Sequence, residues 1–276
     1  MIVLGCDFTS APSPAKPITV ARCRLDGTTL RLERIERFVD FIGFEALLVE
    51  PGPWVGGFDF PFGQAREFLS NAGWPMAWED YVEHVSSWSR AQFIDELMTY
   101  KAKRPFGAKQ HRRKTDVLAR SQSPQTLFGT PVAKMWFEGA RRLKQARVFI
   151  PILQTRGEHK RVVIEAYPGL LVRRCFGDAK YKGGARSDSG RKAQRECITD
   201  GLHDQRMWIA YGISAALDRQ QVAELISDHH GDMLDAVLCA VQAAWAFRHP
   251  NWGIPADADP AEGWISDPHT LGAAAA

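Results

Sequence analysis

Three acidic residues are distinguished by where they fall. Asp7 closes the apolar run Ile2 to Cys6, Asp59 follows Trp54-Val55-Gly56-Gly57-Phe58, and Glu165 follows Arg161 to Ile164. A carboxylate at the end of a buried strand is costly without a partner, and a bound cation is one partner that would justify all three. A fourth acidic feature comes late, in His229-His230-Gly231-Asp232-Met233-Leu234-Asp235. Its i, i+3 spacing puts Asp232 and Asp235 on one face of a helix. Carboxylate oxygens without a cysteine pair or a regular histidine motif suit Mg²⁺ or Mn²⁺ rather than zinc. Two such ions about 3.5 to 4 Å apart can activate water and stabilise the leaving oxygen of a phosphodiester. Each residue also has a structural use. Asp7 and Asp59 suit turn caps, Glu165 an acceptor for the Tyr167-Pro168-Gly169 turn, Asp232 an N-cap with Asp235 completing a capping box, and His229 and His230 a helix entry. The metal reading rests on the set.

The elements that must position these residues follow from periodicity. Ile2 to Cys6 reads as a buried strand, and Pro17 to Leu25 and Leu30 to Phe38 as a hairpin across Asp26-Gly27. Phe41 to Glu50 carries Phe44, Leu47 and Leu48 at helical spacing before Pro51-Gly52-Pro53. The strand Trp54 to Phe58 is then expected parallel to the first, since a helix crosses between them. Residues 64–154 read as a mainly helical insertion, with helices at Arg66 to Ser70, Trp78 to Met98 and Pro131 to Val148. A strand at Arg161 to Ile164 and helices at Leu170 to Cys175, Gly190 to Leu202, Arg219 to Ser227 and Asp232 to Phe247 complete a single α/β domain over residues 1–276.

Composition narrows the function classes. The 276 residues are 45% hydrophobic and 24% charged with net charge +3, which excludes a disordered, collagen-like or histone-like chain. Five cysteines without a C-x-x-C pair suggest neither a disulfide-linked partner nor a cysteine zinc site, and fit the reducing cytoplasm. The start lacks the pattern of a signal peptide. Ala236 to Phe247 is too short for the ~20 residues of a membrane span, so a cytoplasmic location without membrane attachment is expected.

Charge is nonetheless segregated. Residues 101–124 carry Lys101, Lys103, Arg104, Lys109, Arg112, Arg113, Lys114 and Arg120 against Asp116 alone, leaving the rest of the chain net acidic. With Pro105, Gly107 and the Ser121-Gln122-Ser123-Pro124 end, this reads as a mobile basic loop suited to phosphates, or as a solvated surface. Lys180 and Lys182 open a second basic stretch that also holds Arg186, Arg191, Lys192 and Arg195. Candidate substrate contacts are therefore Arg112, Arg113, Lys114, Lys180 and Lys182. Four tryptophans of the insertion, Trp74, Trp78, Trp88 and Trp136, suit either base stacking or a core.

Six short motifs carry a family resemblance: Gly5-Cys6-Asp7-Phe8, Gly57-Phe58-Asp59-Phe60-Pro61-Phe62-Gly63, Ile164-Glu165-Ala166-Tyr167-Pro168, Tyr181-Lys182-Gly183, Asp232-Met233-Leu234-Asp235-Ala236 and Glu262-Gly263-Trp264-Ile265. Through them the chain resembles the RNase H-like superfamily, and within it the predicted-nuclease family catalogued as domain of unknown function number 429. The likeness covers residues 1–63 and about 161–268 but not the insertion. It implies a mixed sheet of five strands, three antiparallel and then two parallel, flanked by helices, with metal positions at Asp7, Asp59 and Asp235 assisted by Asp232. The final-helix pair is also similar to that of RuvC-type junction resolvases. Glu45 and Glu50 do not match the remaining ribonuclease carboxylate.

The expected function is a two-metal nuclease using Mg²⁺ or Mn²⁺ on nucleic acid, with Asp7, Asp59 and Asp235 binding the ions and Asp232 and Glu165 assisting. The alternatives are an ATP-dependent phosphotransferase on the related actin-like fold and a non-catalytic nucleic-acid-binding module. The phosphotransferase needs a glycine-rich phosphate loop, whereas Ser10-Ala11-Pro12-Ser13-Pro14 lacks N–H donors at its prolines.

Overall fold

The computed structural model describes residues 1–154, 159–183 and 188–271, so Arg186 of the second basic stretch lies outside the described residues. The chain opens with β1 (Ile2–Asp7), β2 (Ile18–Asp26), β3 (Thr29–Phe38), α1 (Phe41–Leu48) and β4 (Trp54–Phe58). Helices α2 (Arg66–Ala72), α3 (Trp78–Ser86), α4 (Arg90–Ala102), α5 (Lys114–Ala119) and α6 (Val132–Ala146) precede β5 (Arg161–Glu165). Then come α7 (Pro168–Phe176), α8 (Ser189–Gly201), α9 (Gln205–Tyr211), β6 (Ser214–Ala216), α10 (Arg219–Ser227) and α11 (Asp232–Phe247).

The fold is α/β, with one mixed sheet in the order β5-β4-β1-β2-β3-β6. β1 pairs antiparallel with β2 and β2 with β3, while β4 lies parallel to β1, β5 to β4 and β6 to β3. The sheet therefore has six strands among the described residues, not five. The sixth, Ser-Ala-Ala, is too short to give an alternation signal. Gly27 at φ 57° supplies the left-handed turn of the β2–β3 hairpin.

Each face of the sheet has its own core. Leu4, Cys6, Phe58 and Val163 point to one face and join α1, α3, α4 and α6 in an aromatic-rich cluster. Trp74, Trp78 and Trp136 are buried there, so these three serve packing. Val3, Val55, Val162 and Ile164 point to the other face, which α11 covers along most of its length.

Two local expectations are corrected. The single helix over 78–98 is two helices, because the Ser89 side chain accepts from Gln92 N and the Gln92 side chain accepts from Ser89 N, a capping box that restarts the helix. The basic stretch 101–124 is not simply a loop, since it contains α5 and ties back to the core through Arg113. Among the described residues no helix is long and apolar enough to cross a membrane. All five cysteines are free.

Candidate metal centre

The parallel pairing of β1 and β4 matches Cys6 with Phe58, so Asp7 and Asp59 sit side by side where the two strands end. The Asp59 N–H donates to the Cys6 carbonyl at 2.9 Å, fixing that alignment. Side chains two apart share a face of a strand. Asp7 thus shares the face of Gly5, and Asp59 follows the face of Gly57. Both glycines back directly onto α11, Gly5 against Ala236 and Ala240 and Gly57 against Cys239 and Ala243. Without side chains between them, strand and helix approach closely, and the first turn of α11 brings Asp235 to the two aspartates. One oxygen from each of Asp7, Asp59 and Asp235 lies within 4.8 Å of the others.

The centre is tense electrostatically. Burial raises the Asp7 carboxyl to about 6, assisted by Asp232 and opposed by Lys182 and Lys16. Burial raises Asp59 to about 7, with Asp7 and Glu165 adding repulsion against the pull of Lys182 and Lys16. Asp7 Oδ2 and Asp235 Oδ2 are buried and receive no backbone N–H or hydroxyl donor. Their nearest compensation is ionic, from Lys16 Nζ at 3.5 Å and from the Lys182 ammonium respectively. Tyr181 donates its hydroxyl to Asp235 Oδ1 at 2.6 Å, and burial keeps that phenol protonated. Buried carboxylate oxygens converging with so few hydrogen bonds fit a hard divalent cation, to which Asp7, Asp59 and Asp235 would be the ligands.

The other expected residues are placed differently. Asp232 lies one turn earlier on α11 and its Oδ1 binds Lys16 Nζ at 2.5 Å, so it adjoins the cage without entering the group of three. Glu165 pairs in register with Phe58, one residue before Asp59, and so belongs to the opposite face of the pleat. There it accepts from Phe62 N at 3.0 Å and from both terminal nitrogens of Arg113 at 2.7 and 2.6 Å.

Arg113 itself is 1% exposed and also donates to both oxygens of Asp116, at 2.9 and 2.7 Å. Its guanidinium is saturated by two carboxylates and offers no fork to a phosphate, which corrects its expected role as a substrate contact. Lys114 is tied to Asp257, while Arg112 and Lys180 are exposed. Glu45 and Glu50 pair with Arg142 and Arg22, away from the aspartates. Lys16 and Tyr181 were not legible as site residues, because a lysine in a proline-rich loop and a lone tyrosine carry no spacing signal.

Beside the cage opens a chamber of about 330 Å³, bounded by Asp59, Pro61, Tyr167 and Lys182 on the sheet side and by Gln122, Thr130 and Met135 of the segment between β4 and β5. It lies beyond the carboxyl ends of β4 and β5, where open α/β sheets bind ligands.

No curated protein and no solved structure matches the chain. A family model described as "Protein of unknown function (DUF429)" matches residues 5–259, which takes in all three aspartates and the whole stretch between β4 and β5. The chain therefore belongs to the DUF429 family of proteins of unknown function.

Proposed function

We propose that the protein is a divalent-metal-dependent nuclease that hydrolyses phosphodiester bonds in nucleic acid on an RNase H-like scaffold. The observation that carries this reading is the convergence of Asp7, Asp59 and Asp235 at the carboxyl ends of two adjacent parallel strands. A bound Mg²⁺ or Mn²⁺ would supply charge neutralisation at the phosphate and a more acidic water. The chain's own residues do the rest. Tyr181 orients the Asp235 carboxylate through its hydroxyl, and Asp232 holds Lys16 next to Asp7. Lys182 spans the cage and the chamber, so its ammonium is placed to meet a phosphate that arrives from the chamber side. Lys103, Lys109 and Arg112 remain exposed for a polyanionic partner.

The test is cleavage of single-stranded, duplex, hybrid and branched substrates with and without Mn²⁺. Cleavage that requires the metal and disappears in a folded Asp235→Asn variant is the expected result. Robust cleavage by that variant would remove the assigned chemistry. ATP hydrolysis without cleavage would favour the phosphotransferase, and salt-sensitive binding without turnover the binding module.

A further inference from the structure

The chamber beside the aspartates has a cation at its cage end, Lys182, and a buried ionic set further in that carries no net positive charge. Arg113 is its largest buried cation, and Asp116 and Glu165 consume that charge through at least four hydrogen bonds of 2.6 to 2.9 Å. Among the described lining residues, Asp59 and Lys182 are the charged groups outside that ionic set, and both lie at the cage end. The remaining wall is apolar or neutral, formed in part by Pro61, Met135 and the Tyr167 ring. Two polar side chains at the chamber's mouth, Gln122 and Thr130, are exposed and can meet a polar edge there. An anion has nothing to bind deep in such a space, whereas a flat neutral group with a polar edge does.

The volume of about 330 Å³ is at the lower end of small-molecule sites, which run from ~300 to 1,000 Å³. Residues of α5, α6 and their connection wall one side and strand ends the other, so a base must leave its stack to enter.

The outer surface of the same segment has a matching character. Phe106 is 100% exposed between exposed Lys103 and Lys109 in the chain, and Phe128 is 74% exposed on the connection that leads to α6. The two loops bearing them are tied together by Lys101 donating to the Gln125 carbonyl at 2.6 Å and by His111 N donating to the Gln125 side chain at 2.9 Å. Aromatic rings interleaved with cations are how proteins track an unpaired strand, each ring stacking on a base and each cation meeting a phosphate.

We infer that the chamber receives one nucleobase of an unpaired nucleic-acid strand, whose neighbouring phosphate then lies at Lys182 and the three aspartates. The assignment of that phosphate rests on the nuclease reading, whereas the preference for an unpaired base rests on the chamber and on the exposed rings of the same segment.

Fluorescence anisotropy on the full chain in metal-free buffer tests the inference. A labelled mixed-sequence oligonucleotide is compared with the same strand annealed to its complement, at one salt concentration. The unpaired form is expected to bind about tenfold or more tightly, and Met135→Trp, which fills the chamber, to lose that margin. Phe106→Ala with Phe128→Ala removes only exposed rings and leaves the core intact. It is expected to weaken the unpaired strand about fivefold or more while leaving the duplex unchanged. Equal binding of the two forms would overturn the inference. So would binding of a nucleoside monophosphate without any oligonucleotide binding, which would make the chamber a small-phosphoester site. A melting-temperature scan with Mn²⁺ reports separately on the cage, so failure of the metal reading leaves the strand preference standing and is told apart from its failure.

Discussion

Gly5 of β1 lies so close to α11 that a Cβ on it would stand 2.3 Å from the Ala240 nitrogen and 1.9 Å from the Ala236 carbonyl oxygen. Such contact with helix backbone leaves no room for adjustment. The absent side chain at Gly5 is what lets the helix carrying Asp235 reach the strand carrying Asp7. Gly5→Ala is expected to cost about 1 to 3 kcal/mol by overpacking and to weaken Mn²⁺ binding by displacing α11. Urea denaturation and calorimetric Mn²⁺ titration measure the two effects. A variant that is wild-type in both would show that the approach is not what builds the site.

Metal binding should depend on pH in a stated direction. Asp7 and Asp59 titrate in the folded protein near 6 and 7, above the ordinary carboxylate value of 3.8. A raised folded value means that the native state holds its protons more tightly than the unfolded chain. Their contribution to stability is therefore complete below about 3.8 and lost as pH rises through 6 and 7. Without metal the melting temperature should fall between pH 5 and pH 8 from these groups. The increase produced by Mn²⁺ should grow over the same interval, because the ion competes with protons. An increase from Mn²⁺ that is independent of pH would speak against carboxylate ligands.

Lys182 offers a different readout. Its ammonium contacts Asp235 and lowers the cost of gathering three carboxylates, so it competes with an added cation. Lys182→Met should bind Mn²⁺ more tightly, by roughly threefold to tenfold, while cleaving more slowly for want of a phosphate contact. Weaker Mn²⁺ binding would place the lysine among the groups that support the ion.

Arg113 predicts a structural phenotype. Removing one partner of a buried ionic set strands the others, so Arg113→Met is expected to destabilise the protein by about 3 to 5 kcal/mol. The salt dependence of oligonucleotide binding should stay at its wild-type slope in that variant and flatten in Arg112→Ala with Lys109→Ala. The opposite pattern would restore Arg113 as a phosphate ligand.

The strands and the cage were largely legible in the sequence, for a physical reason. A carboxylate closing an apolar run is costly, which singles out Asp7 and Asp59 by position, whereas Asp235 was legible from its i, i+3 spacing with Asp232 and from the family resemblance. What could not be read was register. Glu165 looks equivalent to Asp59 in sequence, yet pairing with Phe58 turns it to the other face, where Arg113 meets it. The sign of a buried charge was equally hidden. Arg113 in a run of cations resembles its neighbour Arg112, and only the fold distinguishes the 1% exposed residue from the exposed one. Short elements such as β6 and α9 escaped because a few residues hold less than one period of pattern.

Calorimetric titration of Mn²⁺ into the wild-type chain and into Asp235→Asn at pH 8 tests the cage most directly, with circular dichroism to show that both are folded. Saturable binding to the wild type, weakened about 100-fold or lost in the variant, is the predicted result. Equal affinity in the two proteins would mean that the ion sits elsewhere and that these three carboxylates are not its ligands.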